Sequence, residues 1–206
     1  MSAEAPGFAP AQLADEERGR ANCYALIGRL FYDAPDASLL AEVGAGGAIT
    51  AEPGRETDLA RSWSALQGAC RNAFPALVKQ EYDDLFISVG RAPVSLYTSY
   101  YLRDISGAQH LVKLRQRLDQ LGLARRATAF EAEDHVSGLC DVMRFLIEQN
   151  QSLFDQRRFF EEFVYPGVGP LCIAVETAVS ANLYKNVALF GRVFLDVENA
   201  AFEMAT

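Results

Sequence analysis

Residues 23–31 read CYALIGRLF, and this stretch decides the fold class because its apolar side chains recur at helical spacing. A spacing of i, i+3, i+4, i+7 and i+8 places side chains on one face of an α-helix. The positions that follow it are Cys23, Leu26, Ile27, Leu30 and Phe31. The pattern predicts a helix over about 11–33, ended by Pro35, because the residue before a proline is disfavoured in helical conformation.

The same periodicity continues along most of the chain, and no alternating strand pattern or internal repeat interrupts it. It predicts an all-α fold, a single globular bundle of roughly eight to ten helices, with residues 1–206 as one domain and 1–10 flexible. A helix is expected to start at Thr128, which fits a capping box with Glu131, or equally at Glu133. A break is expected at Pro166-Gly167. The other predicted helices are 36–43, 55–74, 75–88, a segment ending at Gly122, 152–164, 168–182 and 186–203.

Composition narrows the classes of partner. The formal net charge is −8, and residues 131–162 contain eight acids against three arginines. An acidic protein repels nucleic-acid phosphates, so no nucleic-acid partner is expected and basic partners are favoured.

Three further features of the sequence argue against a metal protein, a secreted protein and a membrane-spanning protein. Four widely spaced cysteines and two histidines offer no ligand spacing, so no metal and no cofactor is predicted. The N-terminal residues lack a secretory pattern, and no apolar run approaches the ~20 residues that cross a bilayer. We expect a cytoplasmic protein with no stable membrane insertion.

Motifs of catalysis and of phosphate binding are missing from the chain. It contains no GxGxxG, GxxxxGK[ST], HExxH or GxSxG sequence, and no Glu-x-x-His pair of a helical metal site. The sequence therefore predicts no catalytic residues and favours a binding protein over an enzyme.

Three segments carry a recognisable order of motifs. The first is QEYDDLF at 80–86, followed after Pro93 by LYTSYYL at 96–102. The second is AEDH at 132–135, with Asp141 and Met143 downstream. The third runs from Phe159 to Glu198 and opens with FFEEF, and LFYDAP at 30–35 completes the set.

Together these segments resemble the TorD/DmsD/NarJ family of redox-enzyme maturation chaperones, as a divergent DmsD-like member. Tyr97 and Tyr101 stand where the DmsD-like branch has tryptophans, Leu96 where it has a proline, and Ala132 replaces the proline of the Pro-Glu-Asp-His motif. The resemblance implies a helical chaperone for the catalytic subunit of a dimethyl-sulfoxide-reductase-type molybdoenzyme. It further implies that the twin-arginine leader peptide is bound, holding the client until the molybdenum cofactor is inserted and before export.

The predicted client-binding residues come from the first two segments. Asp134 and His135 form either a polar recognition spot at a helix start, which the resemblance favours, or an ordinary cap. The tyrosines of 97–101 either line a peptide groove or anchor a long loop. The full predicted set is Asp134, His135, Tyr97, Ser99, Tyr101, Tyr82, Leu85, Phe86 and Leu96, of which Tyr82, Leu85 and Phe86 are expected to belong mostly to the core.

Two alternatives to this function stay open. One is a NarJ-like chaperone for a subunit without a twin-arginine leader, and the other is a helical nucleotide- or metal-dependent enzyme. The oligomeric state is expected to be a monomer or a helix-swapped dimer, with 89–106 or 123–131 as the hinge. Replacing Asp134 by Asn or Tyr97 by Ala is expected to weaken client binding and to leave thermal unfolding nearly unchanged.

Overall fold

The computed structural model describes residues 13–49, 57–87, 92–102, 107–123 and 131–205. These residues form nine α-helices, which confirms the predicted all-α bundle. They are α1 (Asp15–Tyr32), α2 (Ala37–Ala45), α3 (Asp58–Arg71), α4 (Pro75–Tyr82), α5 (Gly107–Gln120), α6 (Val136–Glu148), α7 (Leu153–Phe159), α8 (Tyr165–Thr177) and α9 (Leu183–Met204). The flexibility predicted for 1–10 and the capping threonine predicted at 128 lie outside the described residues.

Local capping explains where several helices begin. The Asp36 carboxylate accepts from the Leu39 N–H at 2.8 Å at the start of α2, and the Thr57 hydroxyl accepts from the Ala60 N–H at 3.2 Å at the start of α3. α4 begins at a proline, Pro75, whose missing N–H is no loss at this position. Side chains that accept hydrogen bonds at a helix start replace the partners that the first turn lacks.

Two π-helical turns extend the helices that precede them. Asp83–Ile87 continues α4, and Phe160–Val164 joins α7 directly to α8. The predicted break at Pro166-Gly167 is therefore wrong, because helical backbone runs through it. Pro166 is tolerated in the first turn of α8. At Gly167 a side chain would collide with Thr98, so the glycine is required for a close approach and not for a turn.

The core lies between α1, α6, α8 and α9. α1 packs along α6, and α9 packs against α3 and α8. Tyr24 of α1 and Phe194 of α9 meet edge to face, with ring centroids 4.9 Å apart. Because the first and last helices share this core, its packing depends on residues that are distant in sequence.

Polar contacts also connect α1 with α9. The Arg20 guanidinium binds both carboxylate oxygens of Glu198, at 2.7 and 2.8 Å, and the Tyr24 hydroxyl donates to the same carboxylate at 3.0 Å.

None of the helices that the structure describes is long and apolar enough to span a membrane.

Candidate functional site

The loop at 92–102 lies directly beside the start of α6. The Thr98 N–H donates to the Asp134 carbonyl, and the Val136 N–H donates to the Leu96 carbonyl, both at 3.0 Å. These bonds form an isolated antiparallel bridge between Tyr97 and His135. Spacing alone did not establish this contact, yet the two segments that the sequence singled out meet here through their backbones.

His135 is the N-terminal cap of α6, and α6 therefore begins at Val136, later than either predicted start. Its Nδ1 accepts from the Ser137 N–H at 3.2 Å and lies 2.7 Å from the Ser137 hydroxyl. A backbone N–H can only donate, so Nδ1 carries no proton and the neutral ring has its proton on Nε2. Burial lowers the pKa of His135 and so favours this neutral form, although Glu131 and Asp134 act in the opposite direction.

Asp134 lies beneath the surface and not on it. Asp134 is 1% exposed. Its carboxylate accepts from the Ser99 N–H at 3.2 Å, and its backbone carbonyl accepts from the Thr98 hydroxyl at 3.1 Å. Asp134 thus fixes the 3-10 turn Thr98–Tyr101. Since this contact is part of the fold, Asp134→Asn is now expected to lower the melting temperature, unlike the expectation from sequence.

Tyr97 presents the exposed aromatic face of this region. It is 37% exposed, and its ring stands edge to face with His135 at a centroid distance of 5.4 Å. Its hydroxyl donates to the Glu131 carboxylate. Burial and this bond raise the pKa of Tyr97 to about 12, so the hydroxyl remains a donor at neutral pH.

Tyr101 has the anchoring role that was left open for the tyrosines. Its hydroxyl donates to the Ser95 carbonyl at 2.9 Å and accepts from the Ser95 N–H at 3.2 Å, which closes the loop on itself. Tyr100 is exposed and packs edge to face on Tyr101 at 5.1 Å. Of the predicted loop residues, Tyr101 and the buried Leu96 hold the loop in place, Ser99 is partly exposed, and Tyr97 faces outward.

The residues expected to be mostly core form an aromatic floor. Leu85 is fully buried, and Phe86 is half-buried with its ring 5.0 Å from Tyr82 and 5.2 Å from Tyr184. The Tyr82 hydroxyl donates to the Phe31 and Tyr32 carbonyls, at 3.1 and 3.0 Å. Leu85 and Phe86 belong to the π-helical turn after α4, a feature that often occurs at functional sites.

Three acidic groups lie near Tyr82 in this floor. Burial raises the pKa of Tyr82, and Asp33, Glu131 and Asp83 raise it further. Glu131 accepts from the Tyr97 hydroxyl and therefore lies beside the loop, and it also raises the pKa of Tyr82 in the floor. Asp33, Asp83 and Glu131 are called the acidic rim below.

Sequence reasoning did not predict the residues of the acidic rim. It also did not predict two exposed apolar residues, which are the sequence neighbours of Asp33 and Phe86. Tyr32 precedes Asp33 and Ile87 follows Phe86, and both are more than half exposed. The signal for Tyr32 and Asp33 was present in LFYDAP at 30–35, and Glu131 was considered only as part of a capping box. Among the described residues no group of three or more His, Cys, Asp or Glu is placed to hold a metal ion.

Comparison with known proteins gives the class of this chain. Residues 52–172 match the model of the family described as nitrate reductase delta subunit. That match covers more than half of the chain, and the protein therefore belongs to this family of molybdoenzyme maturation chaperones, which confirms the resemblance at the level of the family.

The fold comparison agrees with the family. A crystal structure of a candidate redox enzyme maturation protein from Archaeoglobus fulgidus is similar, with a TM-score of 0.52 and 20% sequence identity. The similarity covers 93% of this chain and 99% of that one. At this identity the likeness concerns the fold. No curated protein was found to match the chain.

Proposed function

We propose that this protein is a cytoplasmic chaperone that binds the N-terminal segment of a molybdoenzyme catalytic subunit and catalyses no reaction itself. The client would be of the dimethyl-sulfoxide-reductase type and its segment a twin-arginine leader. The observation that carries the proposal is the backbone bridge between Tyr97 and His135. This bridge joins the aromatic loop to the start of α6, and the Tyr97 hydroxyl links the loop to the acid Glu131.

Each part of the surface has a chemical role in binding such a segment. Tyr97 offers an aromatic face to apolar side chains, and aromatic anchors dominate many peptide interfaces. His135 is only 4% exposed and supports the Tyr97 ring from below through their edge-to-face contact. The acidic rim, in which Asp83 already pairs with Lys79, would attract a pair of arginines, since complementary charge raises the rate and the specificity of association. Asp134 acts as a positioning residue, because it is buried and holds the loop.

Retention of the client follows from occupancy of its leader. While the leader lies on the chaperone it is hidden from the export machinery, and the molybdenum cofactor can be inserted before release. A NarJ-like client without a twin-arginine leader is the second candidate, favoured by the nitrate reductase delta subunit match.

Calorimetric titration tests the proposal. The probe is a synthetic peptide of the N-terminal segment of each molybdoenzyme catalytic subunit encoded in the same genome. Tyr97→Ala should weaken binding about ten-fold or more, as loss of an aromatic anchor does. Phe154→Ala removes an exposed aromatic ring from α7 and is the matched control, with affinity unchanged.

Two further arms test the charges. Affinity should fall as salt is added, because exposed charges are screened beyond about 8 Å at physiological ionic strength. A peptide whose arginines are replaced by glutamine should bind more weakly if the client carries a twin-arginine leader, and equally well if the NarJ-like alternative holds. Unchanged affinity of Tyr97→Ala for every peptide that binds the wild type would remove the proposed site.

A further inference from the structure

Helix α8 packs against the 3-10 turn Thr98–Tyr101 at a point where the helix carries no side chain. That point is Gly167, a buried residue in the first turn of α8. A Cβ atom there would overlap the Cβ of Thr98 and would lie 3.1 Å from the Thr98 carbonyl oxygen and 3.2 Å from its Cα. The turn can therefore approach α8 this closely only because residue 167 is a glycine.

The same turn is bonded to the start of α6 and continues directly into the exposed aromatic residue of the proposed site. The Thr98 N–H and hydroxyl donate to the Asp134 carbonyl at 3.0 and 3.1 Å, and the Ser99 N–H donates to the Asp134 carboxylate at 3.2 Å. Tyr97 precedes the turn and forms the backbone bridge with His135. A displacement of Thr98 therefore strains these bonds and moves Tyr97.

Of the two elements in contact, the turn is the one that would yield to an added side chain. Val168, Leu171 and Val175 of α8 are all fully buried, and α8 packs against α9 in the core. A shift of α8 would disturb this close packing. The turn has four residues, and a few hydrogen bonds to Asp134 hold it, so it can move at a lower cost.

A second glycine of α8 differs in its surroundings. Gly169 is partly exposed, and a Cβ atom there would meet no neighbouring segment of the described residues within 4 Å. Glycine weakens a helix relative to alanine at either position. Close packing against another element therefore accounts for Gly167 and not for Gly169.

We propose that Gly167 is a positioning residue of the client site, which sets how closely the turn Thr98–Tyr101 approaches α8 and thereby where Tyr97 stands beside His135. This inference rests on the proposed chaperone function and deepens it. Gly167 touches no client and acts through the turn. A side chain at this position pushes the turn away from α8, weakens its bonds to Asp134 and displaces the aromatic ring that anchors the client.

The test compares Gly167→Ala with Gly169→Ala, because both replace a glycine of α8 by alanine and both gain helix propensity. The probe is the N-terminal peptide that binds the wild type in the titration above. Gly167→Ala should weaken its binding about ten-fold, as loss of an aromatic anchor does, whereas Gly169→Ala should bind it like the wild type. Hydrogen exchange in Gly167→Ala should become faster in 96–101 and stay unchanged in 168–175.

A second substitution separates positioning from a general loss of stability. Thr98→Gly removes the Cβ atom that the alanine of Gly167→Ala would meet. The double variant should therefore bind the peptide no more weakly than Thr98→Gly alone. If Gly167→Ala acted only by weakening the fold, its loss would instead add to that of Thr98→Gly.

Three results would overturn the inference: Gly167→Ala binds the peptide like the wild type, it fails to fold, or the losses of the two substitutions add. Tyr97→Ala separates such a failure from that of the proposed function. If Tyr97→Ala still weakens binding, only the role of Gly167 is wrong. If Tyr97→Ala also binds normally, the proposed client site is wrong as well.

Discussion

His110 and His135 are buried side chains whose chemistry makes the region of the proposed site sensitive to acid. His135 accepts a backbone hydrogen bond that requires its neutral form. His110 in α5 packs against Phe163, at a ring distance of 5.5 Å, and its Nε2 makes no hydrogen bond among the described residues. Burial lowers the pKa of His110, while Asp134 opposes this effect and Lys113 adds to it.

Acid should therefore destabilise the protein before its carboxylates are protonated. The folded-state pKa of each histidine lies below its ordinary value of 6.5, so below that pH the unfolded chain binds more protons. The contribution of the two histidines to the free energy of unfolding is therefore fully present above about pH 6.5. It is lost progressively as the pH falls below that value. Urea denaturation at pH 7.5 and pH 5.5 measures the difference.

Substitution isolates the contribution of the histidines. In His110→Gln/His135→Asn neither position titrates, and asparagine remains a good N-cap for α6. The loss of stability between pH 7.5 and 5.5 should be smaller in this variant than in the wild type. An equal loss in both proteins would show that other groups cause it.

For individual residues, the sequence identified which ones belong to the region of the proposed site better than it predicted what each one does there. The resemblance selected Asp134 and His135, and the structure adds that one fixes a loop while the other caps a helix. Exposure was not predictable, because a polar pair at a helix start can face solvent or a neighbouring loop. The loop that covers Asp134 comes from residues more than 30 positions earlier.

The start of helix α9 is held in place by a side chain of another helix, α4. Glu81 of α4 accepts from the N–H groups of Asn182, Leu183 and Tyr184, at 2.7, 3.1 and 2.8 Å. The side chain of Asn182 itself makes no capping bond. A buried carboxylate thus satisfies the donors that every helix start leaves open and suits the positive end of the helix dipole.

Removing this carboxylate should loosen the junction of α4 and α9. Glu81→Ala leaves three backbone donors without their acceptor and should cost about 2–3 kcal/mol, the range for hydrogen bonds to a charged group. Glu81→Gln retains one acceptor oxygen and should cost less. Urea denaturation gives both values. Asp84→Asn, three residues on and exposed, is the control with little change, and equal stability of Glu81→Ala and Asp84→Asn would contradict the account.

Helix positions were predictable to within a few residues, whereas their ends and connections were not. The stripe around Leu30 located α1, but the link from α7 to α8 was interpreted as a break. Proline and glycine indicate breaks when only local sequence is considered. Here Gly167 is explained by the approach of Thr98, a contact between segments that are distant in the chain.

Across the whole molecule, the first and last helices are joined by a largely buried ion pair. Arg20 binds Glu198 through two hydrogen bonds and lies over the Phe202 ring, with its guanidinium carbon 5.3 Å from the ring centroid. Arg20→Met should cost about 3 kcal/mol, because the Glu198 charge remains buried without its partner. Arg158→Met removes an exposed pair with Glu162 and should cost ~0.5 kcal/mol. Urea unfolding of both variants measures the contrast, and similar losses would argue against this role of Arg20.

The predicted class of protein followed from the order of several weak motifs along the chain. Each motif alone was unspecific, yet QEYDDLF, LYTSYYL and AEDH fall on the π-helical turn, the loop and the start of α6. The junction of α4 with the start of α9 could not be predicted, since Glu81 and the Asn182 N–H that it accepts lie 101 positions apart. Residues so far apart have no shared periodicity that indicates contact.

Hydrogen exchange with mass-spectrometric detection tests the central claim most directly, namely that the client segment binds where the loop meets the start of α6. The chaperone is measured with and without the N-terminal peptide of the client. We predict slower exchange in 92–102 and 131–138, with little change in 178–184, between α8 and α9. Peptide binding that leaves 92–102 and 131–138 unchanged, or protects only other segments, would contradict the account.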